Sequence, residues 1–190
     1  MSNNIVGKKI STMCADKNIS VETLSENSGL TVEQINLIVN SETIPSLAPL
    51  IKIARALGVR LGTFLDDSSS IGPVVYQKSN NKETVTFSSQ LSSSNSHLNF
   101  FSLAASKSGR AMEPFLIDVE PDTKQTPVSS SHEGEEFIYV LEGTVKIRYG
   151  NDEYVLNTGE SIYYDSIVDH LVTSHNGTAA KLLAVVYTPV

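Results

Sequence analysis

Two domains of opposite class are predicted for this chain: an all-α unit of five helices over residues 1–66 and an all-β unit over residues 76–190, joined by a linker at 67–75. Three observations carry that expectation. Apolar residues recur at helical spacing as far as Leu65. The stretch DSSSIGP, from Asp67 to Pro73, has the small, polar, glycine- and proline-punctuated composition of a linker. Beyond it, short β-branched and aromatic runs alternate with turn signals.

Composition narrows the function classes. The 190 residues, 40% of them hydrophobic, are enough for one medium domain or two small ones. No apolar run approaches the roughly 20 residues of a membrane-spanning helix. The opening MSNNIVGKKI lacks the charged-then-apolar build of a signal peptide, so the expected location is the cytoplasm, with no membrane partner. A single cysteine, Cys14, excludes an internal disulfide. The net charge of −7 is unevenly spread. Residues 1–66 balance six basic residues (Lys8, Lys9, Lys17, Lys52, Arg55, Arg60) against six acidic ones (Asp16, Glu22, Glu26, Glu33, Glu42, Asp66). The β half therefore carries the whole deficit, which suits a small ligand or a metal and argues against nucleic acid there.

The helices follow in order. Val6, Ile10 and Met13 form the stripe of a first helix between Asn3 and Lys17. Ser20 caps a short second one that Gly29 ends, and Thr31 with Gln34 makes the capping box of a third, anchored by Val32, Ile35 and Leu37 or Ile38. After a turn from Asn40 to Pro45, Ser46 caps a fourth, whose Leu47, Leu50, Ile51, Ala54 and Leu57 are stopped by Gly58. A last turn from Leu61 to Leu65 adds Phe64.

Helices two and three, joined by the tight turn Ser28-Gly29-Leu30, make a helix-turn-helix. The segments LSENSGLTVEQI and PSLAPLIKIARALGV resemble the phage-repressor type of helix-turn-helix domain across residues 3–66. The resemblance implies a DNA operator as partner and Leu30 to Asn40 as the recognition helix. Thr31, Glu33, Gln34 and Asn36 would then reach the base edges. No lysine or arginine lies between Lys17 and Lys52, so each domain is expected to bind DNA weakly and to depend on dimerisation. The alternative is a helical domain kept for packing or oligomerisation.

Strands are predicted at Thr84 to Gln90, Leu98 to Ala104, Glu113 to Val119, Glu136 to Leu141, Val145 to Tyr149, Glu153 to Leu156, Ser161 to Tyr164, Asp169 to Thr173 and Ala180 to Tyr187. Many short strands at this spacing indicate a sandwich or barrel.

Two stretches hold the chemistry. In SSHEGEEFIYVLEG, His132 and Glu136 flank a glycine turn, and a glutamate opening a buried strand needs a metal, a cation or hydrogen-bond donors. In GESIYYDSIVDH, a short apolar strand ends near His170. Together they resemble the cupin family. Its first motif, His-x-His, three or four residues, Glu, six residues, Gly, falls on Ser130, His132, Glu136 and Gly143. Its second, Gly, five residues, Pro-x-Gly, two residues, His, falls on Gly159, Asp165, Ile167 and His170. Ser130, Asp165 and Ile167 depart from the pattern. The resemblance selects a jelly-roll barrel and implies that His132, Glu136 and His170 converge on a divalent transition metal, with iron, manganese, nickel and zinc all admissible. The competing arrangement is a metal-free pocket in which Glu136 bonds both histidines. Ser130 is assigned to a bound water or ligand. Of the adjacent Tyr163 and Tyr164, alternation turns one inward, and Tyr163 is assigned to the ligand. His97 and His175 are read as surface or turn residues.

No GxSxG, phosphate loop or CxxC is present, so any chemistry rests on the metal. The two resemblances together imply a regulator, homodimeric or higher, that reads an operator and senses a small-molecule effector. The hydroxypropylphosphonate epoxidases are mononuclear iron enzymes with the same helical-plus-cupin order and two histidines with one glutamate. Because they too lack the first histidine, an enzyme is the alternative, and a binding or storage module is a third.

Overall fold

The computed structural model describes residues 5–40, 47–65, 72–77, 98–121 and 129–189. The predicted Ser46 cap, the strand at Thr84 to Gln90, His97 and most of the 67–75 linker lie outside them. Among the described residues five helices come first: α1 (Ile5–Asp16), α2 (Val21–Ser28), α3 (Val32–Asn40), α4 (Leu47–Ala56) and α5 (Gly62–Leu65). Local chemistry sets their ends. The Ser20 hydroxyl accepts from the Thr23 amide, and Gly29, at φ 69, closes α2 by donating to the Ser25 carbonyl. At α3 the capping box is complete: Thr31 N donates to Gln34 Oε1 at 2.9 Å and Gln34 N to Thr31 Oγ1 at 3.2 Å. Ile10, Leu24, Ile35, Ile38, Leu50, Ile53, Leu61 and Phe64 are buried among the helices. Each such side chain contributes about 1.5–3 kcal/mol by leaving water. Of the two candidate anchors, Ile38 is buried and Leu37 is exposed.

Among the described residues eight strands follow: β1 (Leu98–Ser102), β2 (Met112–Val119), β3 (Glu135–Glu142), β4 (Thr144–Tyr149), β5 (Asp152–Asn157), β6 (Ser161–Asp165), β7 (His170–Ser174) and β8 (Ala180–Tyr187). They form two antiparallel sheets, ordered β1-β2-β8-β3-β6 and β5-β4-β7. Period-two burial along β2 and β8 turns Phe115, Ile117, Val119, Leu182, Ala184 and Val186 inward, where they join Ile138, Val140, Val145 and Ile147 in the core. The sheets meet through the bridge between Ser130 and His170 and through Tyr149, whose hydroxyl donates to the Asp165 carbonyl. This is the antiparallel jelly-roll arrangement of a cupin domain, built here from two sheets.

Gly134 shapes the entry to β3. Its φ is +111, and a Cβ there would stand 2.0 Å from the Tyr187 carbonyl oxygen, so no side chain fits. Polar and close contacts join the helical and β parts among the described residues. Arg55 pairs with Glu133 at 2.6 Å, the Arg60 guanidinium donates to the Gly109 carbonyl, and Gly62 packs so closely on Glu113 that a Cβ would lie 2.8 Å from its Oε1. Beside Gly62, Arg110 Nε donates to Glu113 Oε2 at 2.7 Å, both side chains being buried. Arg110 is thus an interior ion-pair partner, although its sequence setting reads as a turn.

Candidate metal centre

The loop before β3 delivers His132. Its amide donates to the Ser166 carbonyl at 3.0 Å, and the Ser166 amide donates to the Gly134 carbonyl at 2.8 Å, so two crossed main-chain bonds hold the two motif loops together. Glu136 follows one turn later, on the buried face of β3. His170 opens β7, held from below by reciprocal main-chain bonds with Ser130 at 2.8 and 2.9 Å. Glu136 thus comes from one sheet and His170 from the other.

The ligand atoms of His132, Glu136 and His170 all lie within 4.8 Å of one another, and all three residues are buried. Both imidazoles are oriented the same way. His132 Nδ1 donates to the Glu133 carbonyl at 3.0 Å and His170 Nδ1 to the Val168 carbonyl at 2.9 Å, which turns each Nε2 toward Glu136 Oε1, at 2.8 and 3.5 Å. Backbone carbonyls that take the Nδ1 proton are the outer partners that metal-binding histidines use, because they leave the Nε2 lone pair for the ion. The second carboxylate oxygen is occupied: the Tyr164 hydroxyl donates to Oε2 at 2.7 Å. The Tyr164 ring also lies against His170, with centroids 5.1 Å apart. Among the described residues the buried Ser166 hydroxyl has no hydrogen-bond partner, an orphan polar atom in the loop that braces His132. Two imidazole nitrogens and one carboxylate oxygen fit a divalent transition metal with open positions.

Charge within the site is strongly coupled. Burial works against an ionised Glu136, but hydrogen bonds from His132 and His170 outweigh it and hold the carboxyl far below its usual range. Burial likewise opposes a charged His170, yet its bond to Glu136 prevails and raises it. Burial, with the Glu136 charge beside it, pushes the Tyr164 phenol far up, so it stays a donor.

The structure departs from one expected assignment. Tyr163 is 62% exposed and donates to Glu135 on the outer surface, while Tyr164, 6% exposed, is the tyrosine that reaches the site. The parity of β6 decides this, because Tyr164 stands opposite Glu136 in the β3–β6 register. Alternation alone leaves that choice open; the partner strand settles it. Ser130 reaches the site through its backbone, and its hydroxyl makes no hydrogen bond among the described residues. His175 sits in the turn after β7, away from the triad. In the helical part, Thr31, which precedes α3 in its capping box, and Glu33, Gln34 and Asn36 on α3 are all exposed. Sequence reasoning missed Arg55, whose pairing with Glu133 links α4 to the His132 loop and carries no motif signal.

Residues 9–69 match the family model of the Cro/C1-type helix-turn-helix DNA-binding domain, and residues 115–186 match that of the cupin domain. The chain therefore joins a Cro/C1-type helix-turn-helix domain to a cupin domain. The (S)-2-hydroxypropylphosphonic acid epoxidase of Streptomyces wedmorensis is 35% identical over 89 residues, which is 44% of this chain and 45% of that enzyme, so the match spans less than half of that relative. Among solved structures, an HTH_3 family transcriptional regulator from Vibrio cholerae superimposes with a TM-score of 0.70 at 18% identity, covering 100% of this chain and 98% of that one. Hydroxypropylphosphonic acid epoxidase from the same Streptomyces gives a TM-score of 0.50 at 24% identity, with 98% of each chain covered. These structural likenesses show the fold. No helix among the described residues is long and apolar enough to cross a membrane.

Proposed function

We propose that this protein is a ligand-responsive transcription regulator whose helical domain reads an operator and whose cupin domain senses a small molecule, with a divalent metal held by His132, Glu136 and His170. One observation carries the reading: α3 and its capping box keep Thr31, Glu33, Gln34 and Asn36 exposed while α4, on another part of the same domain, is tied to the His132 loop by Arg55 and Glu133. The head is thus open to DNA and in contact with the site. When bound, the metal would offer Lewis-acid positions to an effector. The chain's own residues do the rest. The two backbone carbonyls orient the imidazoles, and Tyr164 holds Glu136 to a single free oxygen.

Affinity for DNA comes from two copies. With no cation between Lys17 and Lys52, one recognition helix lacks the phosphate contacts that normally supply most non-specific binding. The outer face of the five-stranded sheet carries Leu116, Phe137, Tyr139, Leu183 and Val185 in adjacent register, an apolar surface suited to a second copy. A dimer presents two recognition helices and multiplies their affinity. Binding of the full chain to DNA from its gene's upstream region, at two salt concentrations, tests the reading. A specific complex, less salt-sensitive than that of a lysine-rich head, is expected. No specific complex at either salt would overturn it.

A second reading, a mononuclear non-haem metal enzyme of the hydroxypropylphosphonate-epoxidase type, is favoured by one specific feature. Ser130 stands where the cupin motif has a histidine, so the triad leaves more positions open to substrate and oxygen than a four-ligand site would. Consumption of (S)-2-hydroxypropylphosphonate by the iron-loaded protein would establish that reading, and the helical domain would then serve packing.

A further inference from the structure

Between α2 and α4 on one side and the loops at 131–133 and 188–189 on the other lies a cavity of about 150 Å³. Its walls include Asn27, Lys52, Arg55, Ser131, Glu133 and Thr188. Arg55 is already paired there with Glu133. Half-buried Lys52 has no hydrogen-bond or ion-pair partner among the described residues. The recess therefore holds two cations against one carboxylate, and the Lys52 ammonium, without a partner of its own, is left as a charged donor to any anion that enters. Asn27 and Thr188 add neutral donors, and the volume accommodates a group the size of phosphate or acetate.

We propose that this cavity binds a small anion, a carboxylate or a phosphate monoester, between Lys52 and Arg55, and that the anion displaces the Glu133 carboxylate from Arg55. Glu133 is the competitor because its pairing with Arg55 is solvent-exposed, at 64% and 40% for the two side chains, and such pairs are held weakly. The displacement has a consequence on the metal side. His132 lines the same cavity, and its Nδ1 is oriented by the main-chain carbonyl of Glu133. An anion here would release the helical head from the loop that aims His132. Binding itself rests on the cavity alone; only an effect on operator affinity rests on the regulator reading.

Calorimetric titration of the metal-free full chain with inorganic phosphate, and separately with acetate, tests the site. At least one probe is expected to give a saturable isotherm, phosphate alone assigning a monoester and acetate alone a carboxylate. Lys52→Gln should weaken binding about tenfold by removing a charge-assisted bond, and Glu133→Gln should tighten it severalfold by removing the competitor. Both side chains are at least partly solvent-facing, and a thermal melt of each variant checks that the fold is kept. No saturable binding of either probe, an unchanged affinity in Lys52→Gln, or weaker binding in Glu133→Gln would overturn the proposal. Anion binding without any DNA complex would remove the regulator reading and leave the cavity; an operator complex without an anion isotherm would do the reverse.

Discussion

The Tyr164 hydroxyl donates to Glu136 Oε2 at 2.7 Å, which leaves Oε1 as the carboxylate oxygen that faces both His132 and His170. A carboxylate fixed in this way binds an ion through one oxygen. Tyr164→Phe should therefore lower metal affinity about 10- to 100-fold, the usual effect of losing an outer partner, with little change in fold. Tyr163→Phe, on the opposite face of β6, should leave it unchanged. Competition titration against a chromophoric chelator separates the two, and equal losses would contradict the assignment of Tyr164.

Metal-free protein should be most stable on the acid side of neutrality. Glu136 has a lowered folded pKa, so its contribution is present above its unfolded value near 4.5 and is lost as pH falls through the folded one. His170 has a raised folded pKa, so its contribution is full below its unfolded value near 6.5 and is lost as pH rises through the folded one. The window between about pH 5 and 6.5 retains both. Melting temperature against pH, measured after metal removal, should peak there. Added divalent metal should restore stability above the window, because the ion needs deprotonated imidazoles.

Gly134→Ala should cost about 3 kcal/mol or more, from the positive φ together with the clash on the Tyr187 carbonyl. Urea denaturation, or loss of soluble protein, reads it out. A variant as stable as the parent would mean that this loop does not approach β8 so closely.

Glu113→Ala should destabilise by about 3–5 kcal/mol, because it removes the carboxylate beside the buried Arg110 guanidinium, while Glu113→Gln should cost less. The same denaturation measurement checks it. Because Gly62 packs on this pair, the loss should also loosen α5 against the β part, detectable as faster amide exchange at Leu61 to Leu65.

Much of this architecture could be read from the chain because the informative signals are local. The Thr31–Gln34 box, the Gly29 stop and the period-two runs of β2, β3 and β8 each act within a few residues, and the elements form where those residues stand. The meeting of His132, Glu136 and His170 was legible only through motif spacing, since the crossing of two sheets brings them together and no local pattern encodes that. Three features stayed hidden for the same reason. The choice of Tyr164 over Tyr163 depends on its register with Glu136, the burial of Arg110 depends on Glu113 and Gly62, and the reach of Arg55 to Glu133 spans two domains. Each is a property of a partner strand or helix that the residue's own neighbourhood does not mention.

Recognition of DNA by α3 is tested most directly at Asn36, which is exposed and, unlike Thr31 and Gln34, is not engaged through its side chain in the capping box. Fluorescence anisotropy of the full chain on its upstream operator fragment, beside a scrambled fragment of equal length, should show Asn36→Ala losing about tenfold or more in operator affinity. Affinity for the scrambled fragment should not change. Identical operator affinities for the parent and Asn36→Ala would contradict the assignment of α3 as the reading helix.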